Sequence, residues 1–186
     1  MASAFTHAFA AIAGGKIFSG EKMPARFWVL SILCSVLPDF DAIGFRLGIA
    51  YESFWGHRGF THSLLFALIV ALLVVLTFFR SEAADSRRWW KLVLFFFLVT
   101  SSHALLDMLT NGGHGVALFA PFDNSRIFFP WSPIKVSPIG VSSFFSERGV
   151  RVIVSEMLYV WLPLVVVAAI VGVARKAAKG REERKG

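Results

Sequence analysis

The chain is poor in charge and nearly devoid of cysteine. Asp, Glu, Lys and Arg make up 17% of its 186 residues, against about a quarter in ordinary soluble domains. Disorder is excluded, because a disordered chain needs low hydrophobicity and high net charge. Cys34 is the single cysteine, so no intrachain disulfide framework is available. Set in an apolar run, it reads as a small buried hydrophobe. The glycines and prolines follow no G-x-y period, which excludes a collagen-like rod. No basic residue precedes Lys16, so a cleaved signal peptide is not expected. Internal repeats and low-complexity blocks are absent from the sequence.

What the chain has in excess is apolar surface. It is 56% hydrophobic and 15% aromatic, with 20 Phe and 6 Trp, and its mean hydropathy is +0.65. A soluble core of this size cannot enclose so many large rings. The composition therefore describes one all-α integral membrane domain. The net charge is +7, from 19 Lys and Arg against 12 Asp and Glu. In a soluble protein that balance would suggest nucleic acid. In a membrane protein the placement of the charges matters more, and no nucleic-acid partner is expected.

Three stretches are long enough to cross about 30 Å of hydrocarbon. Residues 60–79 carry no formal charge, residues 92–106 are uncharged beside Trp89 and Trp90, and residues 157–174 are uncharged with a start near Val150. Two shorter apolar runs, 2–13 and 27–37, predict a pair of shorter N-terminal helices. Pro121, Pro130, Pro133 and Pro138 make 121–140 a proline-rich outer loop, either a lid over a site or a plain connection. If the helices alternate, 13 of the 19 Lys and Arg fall on one side, which the positive-inside rule assigns to the cytoplasm. The expected organisation is a helical domain over 1–175 and a basic, frayed cytoplasmic tail over 176–186 that faces anionic headgroups.

Ionisable side chains inside apolar segments are costly and are read as functional. Counted from the basic end of each helix at helical rise, His62 lies about 27 Å away, Asp107 about 24 Å, His103 about 18 Å and Glu156 about 28 Å. Asp39 and His7 lie at roughly 20 and 14 Å. All fall in the outer half of the bilayer. Independent core histidines would have no reason to share a depth.

Neutral imidazoles and carboxylates together are ligands for zinc, with manganese or iron as alternatives. His103 and Asp107 stand at i, i+4 on one helix face. In residues 37–41, LPDFD, a helix ends at Pro38 with Asp39 and Asp41 in the turn. In residues 57–63, HRGFTHS, Gly59 permits a tight turn between His57 and His62. The predicted metal ligands are His7, Asp39, His62, His103 and Asp107. Asp41 and His57 are candidates for base or orienting residue. Arg58 and Arg126 are candidate phosphate contacts, and His114 is a candidate ligand or substrate contact. Glu156 either joins the site or pairs with Arg148 or Arg151. The same groups admit a proton site instead of a metal site.

His7, LPDFD (37–41), HRGFTHS (57–63), HALLDMLTNGG (103–113), APF (120–122) and FPWSPIKVSPIG (129–140) together resemble the YdjM-like family. This is a group of bacterial inner-membrane proteins described as metal-dependent hydrolases, some controlled by the DNA-damage repressor LexA. The resemblance spans His7 to about Trp161 and implies metal binding by the His and Asp positions. A fainter similarity links the ligand order His7, Asp39, His62, His103 with Asp107, and His114 to the zinc-dependent phospholipase C and P1 nuclease group. The chain lacks that group's N-terminal Trp and its closing His-x-x-x-Glu, since Val152 stands four residues before Glu156. One or two ions are therefore expected rather than three.

The expectation is a multi-pass inner-membrane hydrolase with its site toward the periplasm. It would cleave a phosphoester of a lipid or lipid-linked substrate with one or two divalent ions. The rivals are an ion or proton transporter and a metal-stabilised lipid-binding protein without catalysis. The transporter needs polar groups continuing to the cytoplasmic side, whereas 65–79 and 164–174 are nearly pure hydrocarbon.

Overall fold

The computed structural model describes residues 1–20, 22–81, 87–138 and 144–182. Helix α1, Ala4–Phe18, starts at the N-cap Ser3, whose hydroxyl accepts from the Thr6 amide. Its terminal carbonyls are satisfied from afar: the Arg175 guanidinium donates to the carbonyls of Lys16, Ile17 and Ser19. Helix α2, Ala25–Val36, begins behind Pro24. Pro38 then removes a backbone donor, and the chain tightens into a 3-10 segment, Leu37–Leu47, that ends at Gly48 with φ 72°. Helix α3, Leu64–Phe78, is capped by the Ser63 hydroxyl, and helix α4 runs Arg87–Met108.

After an irregular stretch the chain forms α5, Glu147–Glu156, a π-turn at Met157–Trp161, and α6, Leu162–Glu182. Pro163 lies just beyond the π-turn. Its missing N–H is absorbed by the widened turn, so the helix continues across it. Among the described residues there is no β-strand, only the isolated bridges Thr110 to Ile134 and Val116 to Ile127.

Among the described residues, three helical runs are long and apolar enough to cross a membrane: Ala25–Leu47, Arg87–Met108 and Glu147–Glu182. The number matches the sequence reading, but the membership differs. Residues 60–79, expected as a full span, yield a helix of 15 residues, because 60–62 are drawn into a turn and Ser63 caps the helix late. The run 27–37, expected as a short helix, is carried to spanning length by the 3-10 segment, which rises faster per residue than an α-helix. The tail expected over 176–186 is helical through Glu182, and 183–186 lie outside the described residues.

The core is built by α2, α3 and α4 around Phe27, Val70, Ala71, Val75, Phe96 and Val99. The outward faces stay apolar and exposed, as at Leu73, Leu94, Leu98, Val165, Ile170 and Val173. That is the arrangement a bilayer requires, since lipid is the solvent for those faces. The last helical run is fastened to α1 near its N-terminal end. The buried Glu156 carboxylate accepts from the Ser3 amide, from the Ser3 hydroxyl at 2.6 Å and from the Thr6 hydroxyl at 2.8 Å. Trp161 donates to the Thr6 oxygen at 2.7 Å. Replacing Glu156 by Ala strands these buried donors and should cost about 2–3 kcal/mol. A lowered thermal midpoint in detergent checks it; an unchanged midpoint would mean the carboxylate does not fasten the helix.

Candidate metal centre

Four segments bring their polar ends together. Helix α1 supplies His7, the 3-10 segment supplies Asp39 and Asp41, the turn before α3 supplies His57 and His62, and α4 supplies His103 and Asp107. The turn at 57–62 depends on close backbone approach. A Cβ on Gly59 would lie 2.3 Å from the Phe54 carbonyl oxygen, so a side chain there would force the turn open. Arg58 takes a left-handed φ of 63°, a strained conformation for a residue with a side chain, held by what that side chain bonds.

The two central imidazoles have their tautomers set from outside. His103 Nδ1 faces the Ser35 carbonyl at 2.7 Å. His62 Nδ1 faces the Asp41 carboxylate at 3.2 Å. The Ser35 carbonyl can only accept, and the Thr61 hydroxyl, 3.2 Å from His62 Nδ1, gives its own proton to Asp41, so each ring carries its proton on Nδ1 and leaves a lone pair on Nε2. Those two Nε2 atoms face one another at 3.1 Å. Two lone pairs at that distance repel unless a cation, a proton or a metal ion, lies between them.

Carboxylates surround the same point. An Asp39 oxygen lies 3.3 Å from His103 Nε2 and 3.9 Å from His62 Nε2, and an Asp107 oxygen lies 3.8 Å from His62 Nε2. One donor atom from each of Asp39, His62, His103 and Asp107 falls within 4.8 Å of the others. Tetrahedral zinc with bonds of about 2.0–2.1 Å sets its ligand atoms about 3.4 Å apart, and the four distances bracket that value. Neither oxygen of Asp39 receives a hydrogen bond, although both are buried. Buried carboxylate oxygens without donors are costly; a bound cation removes that cost. The residues present fit a divalent ion with two imidazoles and two carboxylates.

A second grouping, Asp41, His57 and His62, is different in kind. Asp41 accepts from His57 Nδ1 at 2.6 Å, the Thr61 hydroxyl at 2.6 Å and the Arg58 amide at 3.1 Å. Its oxygens are spent on orienting two imidazoles, as carboxylates behind metal-bound histidines do.

The other predicted residues are placed as follows. His7 stacks on His103 with ring centroids 3.7 Å apart, and its Nε2 lies 3.5 Å from Asp107. Neither of its ring nitrogens has a hydrogen bond. Arg58 is buried and donates to Asp107 at 3.0 Å, the Gly112 carbonyl at 2.9 Å and the Thr110 hydroxyl at 3.0 Å. Arg126 donates to the carbonyls of His57, Tyr51 and Ser53, bracing the loop behind the site. His114 is exposed and pairs with Glu52 at 2.9 Å. Glu156 joins Ser3 and Thr6 instead of the imidazoles, and neither Arg148 nor Arg151 is among its bonded partners.

Sequence reasoning did not single out Thr61, Thr110, Gly112 or the Ser35 carbonyl, because a lone hydroxyl or carbonyl carries no spacing signal. It also passed over Tyr51. This residue lines a cavity of about 670 Å³ with His57, Arg58, Gly113, Ser137 and Arg148. Burial raises the Tyr51 phenol above its ordinary pKa, so it faces the cavity as a donor.

The family model for the YdjM inner membrane protein matches residues 1–180. The chain belongs to that family. It is similar to the inner membrane protein YbcI of Escherichia coli (strain K12), with 38% identity over 163 residues, covering 88% of this chain and 92% of that protein. No solved structure matches it. Family membership and the three spans make this YdjM-family chain a bacterial inner-membrane protein.

Arg58 supplies a buried counter-charge to Asp107, so removing it leaves that carboxylate with the Ala2 amide, at 2.7 Å, as its remaining hydrogen-bond donor. Arg58→Met should cost about 3–5 kcal/mol. Arg58→Lys should recover part of that, because an ammonium cannot reproduce the three-way fork. Thermal unfolding of both variants in detergent decides it; equal stability of wild type and Arg58→Met would contradict the clamp.

Proposed function

We propose that the protein is a membrane-embedded metal-dependent hydrolase. It cleaves a phosphoester of a lipid or lipid-linked substrate at the periplasmic side, with the carboxyl-terminal helix ending in the cytoplasm. The observation that carries this reading is the pair of Nε2 atoms facing at 3.1 Å beside the undonated oxygens of Asp39. A proton on His103 Nε2 would serve one Asp39 oxygen, 3.3 Å away; a divalent ion would engage both imidazoles and both carboxylates together.

Asp39, His62, His103 and Asp107 hold the ion, zinc first among the candidates. His7, against Asp107, extends the donor set toward a second. A bound divalent ion supplies Lewis acidity and a water of lowered pKa. The chain's own groups do the rest. Asp41 fixes the His57 proton on Nδ1, which leaves Nε2 to take a proton from an attacking water and return it to a leaving oxygen. Tyr51 and Arg148 line the adjacent cavity and contact the phosphate by donor and charge. Arg58 holds Asp107 in place and lines the same cavity. Burying this chemistry at headgroup depth keeps bulk water out and admits an amphiphile from the side.

Elemental analysis of the purified protein should find one or two divalent transition-metal ions per chain, and His62→Ala or Asp107→Ala should abolish them. Asp41→Ala, which frees both imidazoles to turn, should weaken metal affinity about 10–100-fold. Turnover of a phospholipid or lipid phosphate should be lost with chelator and restored by metal. Metal-free wild-type protein would overturn the reading at its base. Stoichiometric metal without phosphoester turnover would overturn hydrolysis and favour the non-catalytic lipid-binding alternative.

A further inference from the structure

A basic cup lies at the opposite end of α4 from the metal centre, and an apolar groove runs from it along another face of that helix from the one bearing His103 and Asp107. A cavity of about 600 Å³ is lined by Phe18, Ser19, Met23, Arg87, Arg88 and Lys91. A groove of about 560 Å³ is lined by Ala10, Gly14 and Phe18 of α1, by one face of α4 from Phe95 to Leu106, and by Tyr159, Val160, Pro163 and Leu164 of the last run. Phe18 borders both. On α4, Arg87, Lys91, Phe95, Leu98, Ser102 and Leu105 recur every three or four residues, which is one helix face. The cations stand at the N-terminal end of that face, where the helix dipole also favours an anion. The apolar wall continues from them, and Lys91 to Leu105 covers about 21 Å at helical rise.

This pattern matches one class of ligand. The groove runs along a membrane span, so hydrocarbon is its natural occupant, and the basic cup at its end selects a headgroup of opposite charge. Basic pockets between transmembrane helices recognise anionic phospholipids in this way. We propose that an anionic glycerophospholipid binds lengthwise here, its phosphate against Arg87 and Lys91 and one acyl chain in the groove between α1, α4 and the last helical run. Its lining includes none of the four proposed metal ligands, and it does not depend on hydrolysis. Gly14 keeps the groove open: a Cβ built on it meets nothing within 4 Å, so a large side chain there fills the groove without displacing backbone.

The test is native mass spectrometry of the full-length protein in detergent with added phosphatidylglycerol or phosphatidylcholine. Wild type should retain phosphatidylglycerol over phosphatidylcholine by roughly tenfold or more. The Arg87→Gln, Lys91→Gln double variant should lose that preference. Gly14→Phe should lose retention of both lipids while keeping the wild-type thermal midpoint; if it unfolds, Ser102→Phe blocks the same groove from α4. Inorganic phosphate should not compete. Equal retention of the two lipids by wild type, undiminished retention in folded groove-filled variants, or displacement by inorganic phosphate would each overturn the proposal. None of these readouts involves metal, so hydrolysis stands or falls separately.

Discussion

Two imidazoles whose outer nitrogens are already committed leave their inner lone pairs 3.1 Å apart in a buried pocket. That repulsion, and the presence of Asp39 beside it without a donor, is the constraint around which this end of the molecule is arranged. Ser35 on α2 and Asp41 on the 3-10 segment hold the two rings in position. Each belongs to a different element from the ring it holds. The site therefore exists only when α2, the turn before α3 and α4 are packed together.

The apolar and polar parts of the fold support one another. Away from the metal centre lies a packed hydrocarbon core of α2, α3 and α4, which fixes the helices that carry the ligands. The end that holds the metal centre contains buried charge whose cost is met locally. Arg58 is matched to Asp107 through 3.0 Å, and Glu156 is surrounded by the Ser3 and Thr6 donors. Arg126 braces the loop that presents His57. Much of what looks like substrate-binding charge in the sequence is thus engaged in holding carboxylates and carbonyls.

The helical membrane character was legible from composition, since 20 Phe and 6 Trp in 186 residues have no soluble solution. The i, i+4 pair His103 and Asp107 was legible from helix geometry, and the grouping of Asp39 and His62 with that pair was legible from polar residues recurring in separate apolar segments. Span membership was less so. Hydropathy does not register that Ser63 delays α3 or that the chain beyond Pro38 keeps turning as a 3-10 helix. The partners of Arg58 lie 49 to 54 residues away and those of Glu156 150 residues or more. No local spacing encodes such pairs, so a residue type suited to phosphate could not be told from one suited to a buried clamp.

The central claim is that Asp39, His62, His103 and Asp107 converge on one divalent ion. X-ray absorption spectroscopy of the zinc-loaded protein tests it most directly. The account predicts a shell of nitrogen and oxygen at about 2.0–2.1 Å, with the outer-shell scattering of two imidazoles that drops to one in His103→Ala. A shell of water oxygens with no imidazole scattering, unchanged in that variant, would contradict it.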